Sequence, residues 1–154
     1  MFKKSLLVVS VLLTALVTGC ASVPMDTVEN DRLRKEFMTP ELNKAGLYIY
    51  RNTWVGQALK KTLYVDDVEI GETVNKVYFY KELTPGSHKI STESEFSENH
   101  MSLEVEGGKN YFAEQYIKFG VFVGGANLKM VSEPMGKKEV LQCDLAKESS
   151  VAAN

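Results

Sequence analysis

From Ala45 onward, apolar and aromatic residues alternate with polar ones in short runs. Turn formers interrupt these runs about every ten residues, which specifies pleated strands rather than helices. Tyr48-Ile49-Tyr50-Arg51 opens the series with residue types suited to a half-buried sheet. Thr62-Leu63-Tyr64-Val65 and Val68-Glu69-Ile70 flank Asp66-Asp67, a natural two-residue turn. Residues 76–81 run up to Thr84-Pro85-Gly86, where proline presets the bend and glycine accepts a positive φ. Residues 87–93 and 101–106 alternate with period two, Gly107-Gly108-Lys109-Asn110 reads as a hairpin leading into residues 111–117, and residues 127–131 form a last strand. Tyr48 and Tyr50 share one strand face, as do Tyr78 and Tyr80, and are expected in the core or as cross-strand pairs. The expected fold is mainly β: a small antiparallel β-sandwich or partly closed barrel of about seven strands. A short C-terminal helix within residues 134–145 completes it, with Val140, Leu141 and Leu145 on one side.

The first residues follow a different logic. Lys3 and Lys4 make a positive start, Ser5 to Leu16 is nearly unbroken apolar sequence, and Thr18-Gly19-Cys20 closes it with small residues. This is the layout of a secretory signal, and the apolar run is too short to span a bilayer comfortably. Leu16-Val17-Thr18-Gly19-Cys20 resembles the bacterial lipobox, although Val17 stands where leucine is commonest. That resemblance implies cleavage between Gly19 and Cys20, a diacylglycerol thioether on Cys20 and an acyl chain on its new amine. Several acyl chains anchor a chain stably. Ala21-Ser22 carries no aspartate directly after Cys20, which by the same resemblance favours the outer membrane, facing the periplasm, in a diderm host. The expected organisation is therefore a cleaved signal over residues 1–19, a lipidated tether over 20–44, a β-rich domain over 45–146 and a disordered tail over 147–154. Within the tether, Asp31 to Met38 has the spacing for one or two helical turns before Thr39-Pro40.

Removing an acylated Cys20 leaves Cys143 as the lone thiol, so no internal disulfide supports the domain, and the core must. Cys143 reads as a small buried hydrophobe. The formal net charge is −2, and loss of Lys3 and Lys4 with the signal makes the remainder more acidic. Nucleic acid is not an expected partner of such a chain.

Leu63-Tyr64-Val65-Asp66-Asp67-Val68-Glu69-Ile70-Gly71, followed by Leu83-Thr84-Pro85-Gly86-Ser87-His88-Lys89-Ile90, resembles PEGA-type and DUF2846 domains. Tyr48-Ile49-Tyr50-Arg51 and Gly108-Lys109-Asn110-Tyr111-Phe112 point more toward DUF2846. The likeness runs over about residues 46–146 and implies a fold and an envelope setting. It implies no activity.

The residues that carry chemistry are few. His88 and His100 are the only histidines, twelve positions apart and without a neighbouring cysteine, which is not zinc spacing. His88 is expected as a solvent-facing strand residue beside a turn. Asp66-Asp67-Glu69 lacks calcium-loop spacing, and no Gly-x-Ser-x-Gly elbow occurs. Gly120-Val121-Phe122-Val123-Gly124-Gly125 lacks the lysine of a phosphate loop. Val121, Phe122 and Val123 read either as an apolar strand end running into a flexible loop or, more sharply, as a contact loop, because an apolar run between glycines marks a place of close approach and Phe122 is costly to leave exposed. Trp54, beside Arg51, Asn52 and Thr53, is expected to pack in the domain, or else to stack on a sugar or a partner's peptide. No metal or cofactor is expected beyond the covalent lipid on Cys20. The expected function is a non-catalytic interaction module tethered to the envelope membrane, with another envelope protein or a glycan as partner. An envelope hydrolase with an unrecognised polar site is the alternative.

Overall fold

The computed structural model describes residues 21–94, 98–120 and 124–149. Nine strands occur among them: β1 (Ala45–Arg51), β2 (Lys61–Val65), β3 (Val68–Thr73), β4 (Val77–Leu83), β5 (Gly86–Thr92), β6 (Asn99–Val105), β7 (Asn110–Lys118), β8 (Gly125–Val131) and β9 (Asp144–Leu145). Helix α1 (Val28–Arg34) precedes them and α2 (Glu133–Val140) lies between β8 and β9. The strands form two sheets, ordered β8-β7-β1-β4-β9 and β3-β2-β5-β6, packed as a sandwich.

The expected mainly-β sandwich with a short C-terminal helix is present, with two more strands than the sequence pattern indicated. Residues 144–145, read as the end of the helix, leave it and pair with β4 in parallel. The Gly107-Gly108 segment is not a hairpin. β6 belongs to the four-stranded sheet, while β7 lies parallel to β1 in the other, so these glycines carry a crossover between sheets. Their fit is steric: a Cβ on Gly107 would meet the Leu42 carbonyl oxygen, and Gly108 has φ +76. The Asp66-Asp67 turn is as expected, with φ of 51 and 64, the pair of left-handed residues that a tight hairpin between twisted strands requires.

Odd positions of β1 face the sandwich interior, where Ala45, Leu47 and Ile49 join Leu63, Ile70, Ile90 and Phe79. Even positions face outward, yet they are also buried. Tyr48 and Tyr50 pair with Tyr80 and Tyr78 across β4, and with Phe112, Val140 and Cys143 they make a second core beneath α2. The Tyr48 ring stacks on Phe112 at 5.0 Å and meets Tyr80 edge-on at 4.8 Å.

The segment read as a tether is folded against this layer. Thr27 caps α1 by accepting from the Asn30 amide at 3.1 Å. Tyr48 Oη donates to the Arg34 carbonyl at 2.9 Å, and the Phe37 ring lies 5.3 Å from Tyr48. Val23 is buried, and the Asp26 amide donates to the Leu145 carbonyl at 2.9 Å. The described start of the tail is held as well, through Lys147 N to Pro24 O and Ser149 N to Ile70 O, each at 2.9 Å. Alternating polarity signals only strands whose other face meets water, so it is silent on a segment that docks by a few side chains.

Register defines the two ends of the sandwich. The Asp66-Asp67 and Thr84-Pro85 turns lie at one end, and the segments after Arg51, Thr92 and Lys118 lie at the other. Residues 24–26 run antiparallel to 145–147, and β9 runs parallel to β4. Followed backward, the chain therefore heads toward the Asp66-Asp67 end.

Candidate functional site

The interior becomes polar at the end opposite the Asp66-Asp67 turn. The alternation Ala45, Leu47, Ile49, Arg51 places a fully buried guanidinium where the next core residue would sit. Among the described residues, no carboxylate pairs with it. Arg51 Nη1 donates to the Leu59 carbonyl at 2.7 Å and to the Thr73 carbonyl at 3.4 Å, and Nη2 donates to the Gly56 carbonyl. Its Nε has no partner among the described residues. Burial pushes the guanidinium's pKa down to about 10, so it is still a cation at neutral pH. A buried unpaired charge is expensive unless hydrogen bonds replace its water. Here the compensation is backbone, and its effect is to pin residues 52–60.

Beside Arg51, Gln115 ties the two sheets together. Its Nε2 donates to Thr92 Oγ1 at 2.6 Å, and the Thr73 hydroxyl, with one proton to give, sits within hydrogen-bond reach of both Gln115 Oε1 and the Lys61 carbonyl. Thr92 in turn donates to the Thr62 carbonyl at 3.0 Å.

The pinned loop displays Trp54, which is 81% exposed. The expectation that Trp54 packs in the domain is corrected by this exposure. Thr53 N donates to Asn75 Oδ1 at 2.9 Å and Asn52 Nδ2 donates to Glu139 Oε2 at 2.7 Å, so the residues before Trp54 are fixed on both sides. The loop after β7 meets the same loop: a Cβ on Gly56 or on Gly124 would touch both Ile117 and Leu59. Phe119, on that second loop, is 94% exposed. Two exposed aromatic rings thus belong to adjoining loops at one end of the domain. Val121, Phe122 and Val123 lie outside the described residues, as do Gly19 and Cys20.

His88 is not solvent-facing. Its side chain is 11% exposed, and it clamps two turns at the opposite end. Nδ1 donates to Asp66 Oδ2 at 2.6 Å and Nε2 donates to the Thr84 carbonyl at 2.8 Å. Both partners are acceptors, so the arrangement calls for the imidazolium. Burial opposes the His88 charge, but the Asp66 hydrogen bond and the Thr84 carbonyl outweigh it, and the pKa moves up. Burial also opposes ionisation of Asp66, and the His88 and Lys89 hydrogen bonds reverse that, moving its pKa down. The His88 contribution is full below about pH 6.5 and is lost as pH rises through the raised folded value. The Asp66 contribution is full above about pH 4 and is lost as pH falls through the lowered folded value. The clamp is thus expected to stabilise most between about pH 4 and 6.5. His88→Ala should flatten the melting temperature between pH 5 and pH 9, a profile that calorimetry reads directly; an unchanged profile would contradict the clamp.

Cys143 is buried as expected. Burial pushes its thiol up to about 12, and Sγ faces the Arg51 carbonyl at 3.9 Å. Ser91 and His100 are register partners, but Ser91 Oγ is buried and has no hydrogen-bond partner among the described residues, so no nucleophile–base pair links them. Among the described residues, no three His, Cys, Asp or Glu side chains converge as metal ligands, and no helix is long and apolar enough to cross a membrane. A cleft of about 490 Å³ runs between α1, β4 and residues 145–148, with Arg34 stacked 4.0 Å above the Tyr80 ring. Its charges are largely spent on each other, Lys81 on Glu148 at 2.5 Å and, at its rim, Lys44 on Glu82 at 3.1 Å.

The family described as "Protein of unknown function (DUF2846)" matches residues 41–126. The chain belongs to the DUF2846 family. The DUF2846 match takes in β1 through the start of β8, and so includes Arg51, Trp54, Thr73, Gln115 and the His88 clamp. An uncharacterized protein of Haemophilus influenzae is 54% identical over 131 residues, covering 85% of this chain and 78% of that relative. No solved structure matches the chain.

In this DUF2846 chain the sequence alone points to Trp54 but not to Arg51 as the support of its loop. The signal was present: Ala45, Leu47 and Ile49 on one face place Arg51 on the same face. A charged residue at the end of a strand is ordinarily solvated, so the alternation alone does not mark Arg51 as buried. Gln115, Thr73 and Thr92 carry no local signal, because their partners are 23 and 42 positions apart in sequence.

Proposed function

We propose that this chain is a lipid-anchored, non-catalytic binding module of the cell envelope, held by acyl chains on Cys20 and binding its partner with the loops around Trp54. The observation that carries the proposal is Trp54, 81% exposed on a loop that a buried arginine fixes through the Gly56 and Leu59 carbonyls. An exposed tryptophan on a pre-ordered loop loses little entropy on binding. The reading over a hydrolase rests on what the polar groups do: both His88 nitrogens are engaged, the Cys143 thiol is buried, and Ser91 has no base.

The anchor fits this orientation. From Asp26 back to Pro24 the chain runs toward the Asp66-Asp67 end, so acyl chains on Cys20, four residues before Pro24, would put that end at the membrane. The Trp54 loops then face away from it, by roughly the 20 Å that β1's seven residues span at about 3.3 Å each. In a diderm host the membrane is the outer one, on the Ala21-Ser22 signal.

The test places a photo-cross-linking residue at Gln57, on the Trp54 loop, or at Ser87, near the opposite end, in cells. Adducts are expected from Gln57, and Trp54→Ala should remove most of them. Cys20→Ala should move the chain out of the membrane fraction. Equal adducts from both positions, or adducts unaffected by Trp54→Ala, would contradict the proposal.

A further inference from the structure

We infer that the occupant of the Trp54 surface is a glycan, with the C–H face of a pyranose ring stacked on the indole. The inference rests on the reading of that loop as the binding surface. Residues 52–59 carry no charge, and Trp54 is their one large exposed apolar side chain. A sugar presents alternating C–H patches and hydroxyls, so it is recognised by one flat aromatic ring with neutral hydrogen-bonding groups at its edge.

The groups beside Trp54 have that character. Asn52 spends its Nδ2 on Glu139, which holds the amide and leaves Oδ1 as an acceptor without a partner among the described residues. Asn75 spends its Oδ1 on the Thr53 amide, which leaves Nδ2 as a donor. One fixed acceptor and one fixed donor therefore belong to side chains held at the two residues before Trp54, and Gln57 is exposed on the same loop. Their orientations are set by protein bonds before any ligand arrives, the arrangement that lets a hydroxyl bond without reorganisation of the site. A protein partner is ordinarily met by a broad apolar area with charged residues at its rim, whereas residues 52–59 carry no charge and present one ring, with Phe119 of the adjoining loop as the second aromatic at this end.

Trp54 is the single tryptophan of the chain, so it reports its own occupancy. The full chain, extracted in detergent, is titrated with peptide-free peptidoglycan strands, with N-acetylglucosamine hexamer, with maltohexaose and with lipopolysaccharide core oligosaccharide, while indole emission is recorded. A saturable blue shift with at least one is expected, and which one responds identifies the source of the sugar. Retention on that glycan in insoluble form should fall about tenfold or more in Trp54→Ala, while Trp54→Phe, which keeps a ring, should lose less. No emission change with any of the four to millimolar concentration overturns the glycan inference. If Gln57 still gives Trp54-dependent adducts with a protein, the binding surface stands with a protein occupant. If those adducts are absent too, the binding surface itself fails.

Discussion

Arg51→Met is expected to lower stability by about 2–4 kcal/mol and to free the Trp54 loop. The substitution keeps most of the buried volume but removes the donors that satisfy the Gly56, Leu59 and Thr73 carbonyls. A buried carbonyl left unpaired costs about 1–3 kcal/mol, and relief from burying a cation offsets part of the sum. Arg51→Lys should fall between, because an ammonium keeps the charge without the planar fork. Urea unfolding gives the stability, and the fluorescence anisotropy of Trp54 gives the mobility of the loop. A wild-type midpoint with unchanged anisotropy would remove the clamp from the account. Loss of anisotropy with little change in midpoint would show that the clamp acts on the loop alone, leaving its role in presenting Trp54 intact.

Gly136→Ala is expected to destabilise the domain by about 2 kcal/mol, although alanine is the better helix former by about 1 kcal/mol. Gly136 lies in α2 where the helix crosses β7, and an added Cβ would fall 2.3 Å from both Phe112 Cβ and Cγ. Because one of those atoms is Phe112 Cβ, no side-chain rotation relieves the clash. The helix must lift from the sheet, and doing so loosens the outer aromatic core of Tyr48, Tyr50, Tyr78 and Phe112. Gly136→Leu should be more severe. Denaturant midpoints test both, and a neutral or stabilising Gly136→Ala would mean that α2 sits further from β7 than described.

The β-sandwich was legible because its strands alternate and its turns use residues with few alternatives. Asp66-Asp67 takes left-handed angles, as a tight hairpin requires, and Tyr48 and Tyr50 sit opposite Tyr80 and Tyr78. What escaped the sequence was long-range. A glycine pair after β6 marks a turn, but only the parallel pairing of β7 with β1 shows that the turn crosses between sheets. The docking of residues 23–37 depends on Tyr48, Leu145 and Phe112, all distant in the chain. His88 looked exposed because it follows a turn, yet Asp66, twenty-two residues earlier, and Thr84 draw it in. Trp54 stands out in the sequence by its rarity, whereas Arg51, whose side chain holds the loop backbone at Gly56 and Leu59 rather than the indole itself, carries no such signal.

The most direct test of the binding surface is oxidative footprinting of Trp54 in intact envelopes and in the purified chain. Met135, 48% exposed on α2, serves as an internal reference. An occupied surface predicts that Trp54 oxidises several-fold more slowly in envelopes than in the purified chain, while Met135 oxidises at the same rate in both. Equal rates for Trp54 in the two preparations would mean that nothing covers it in the cell, and would contradict the account.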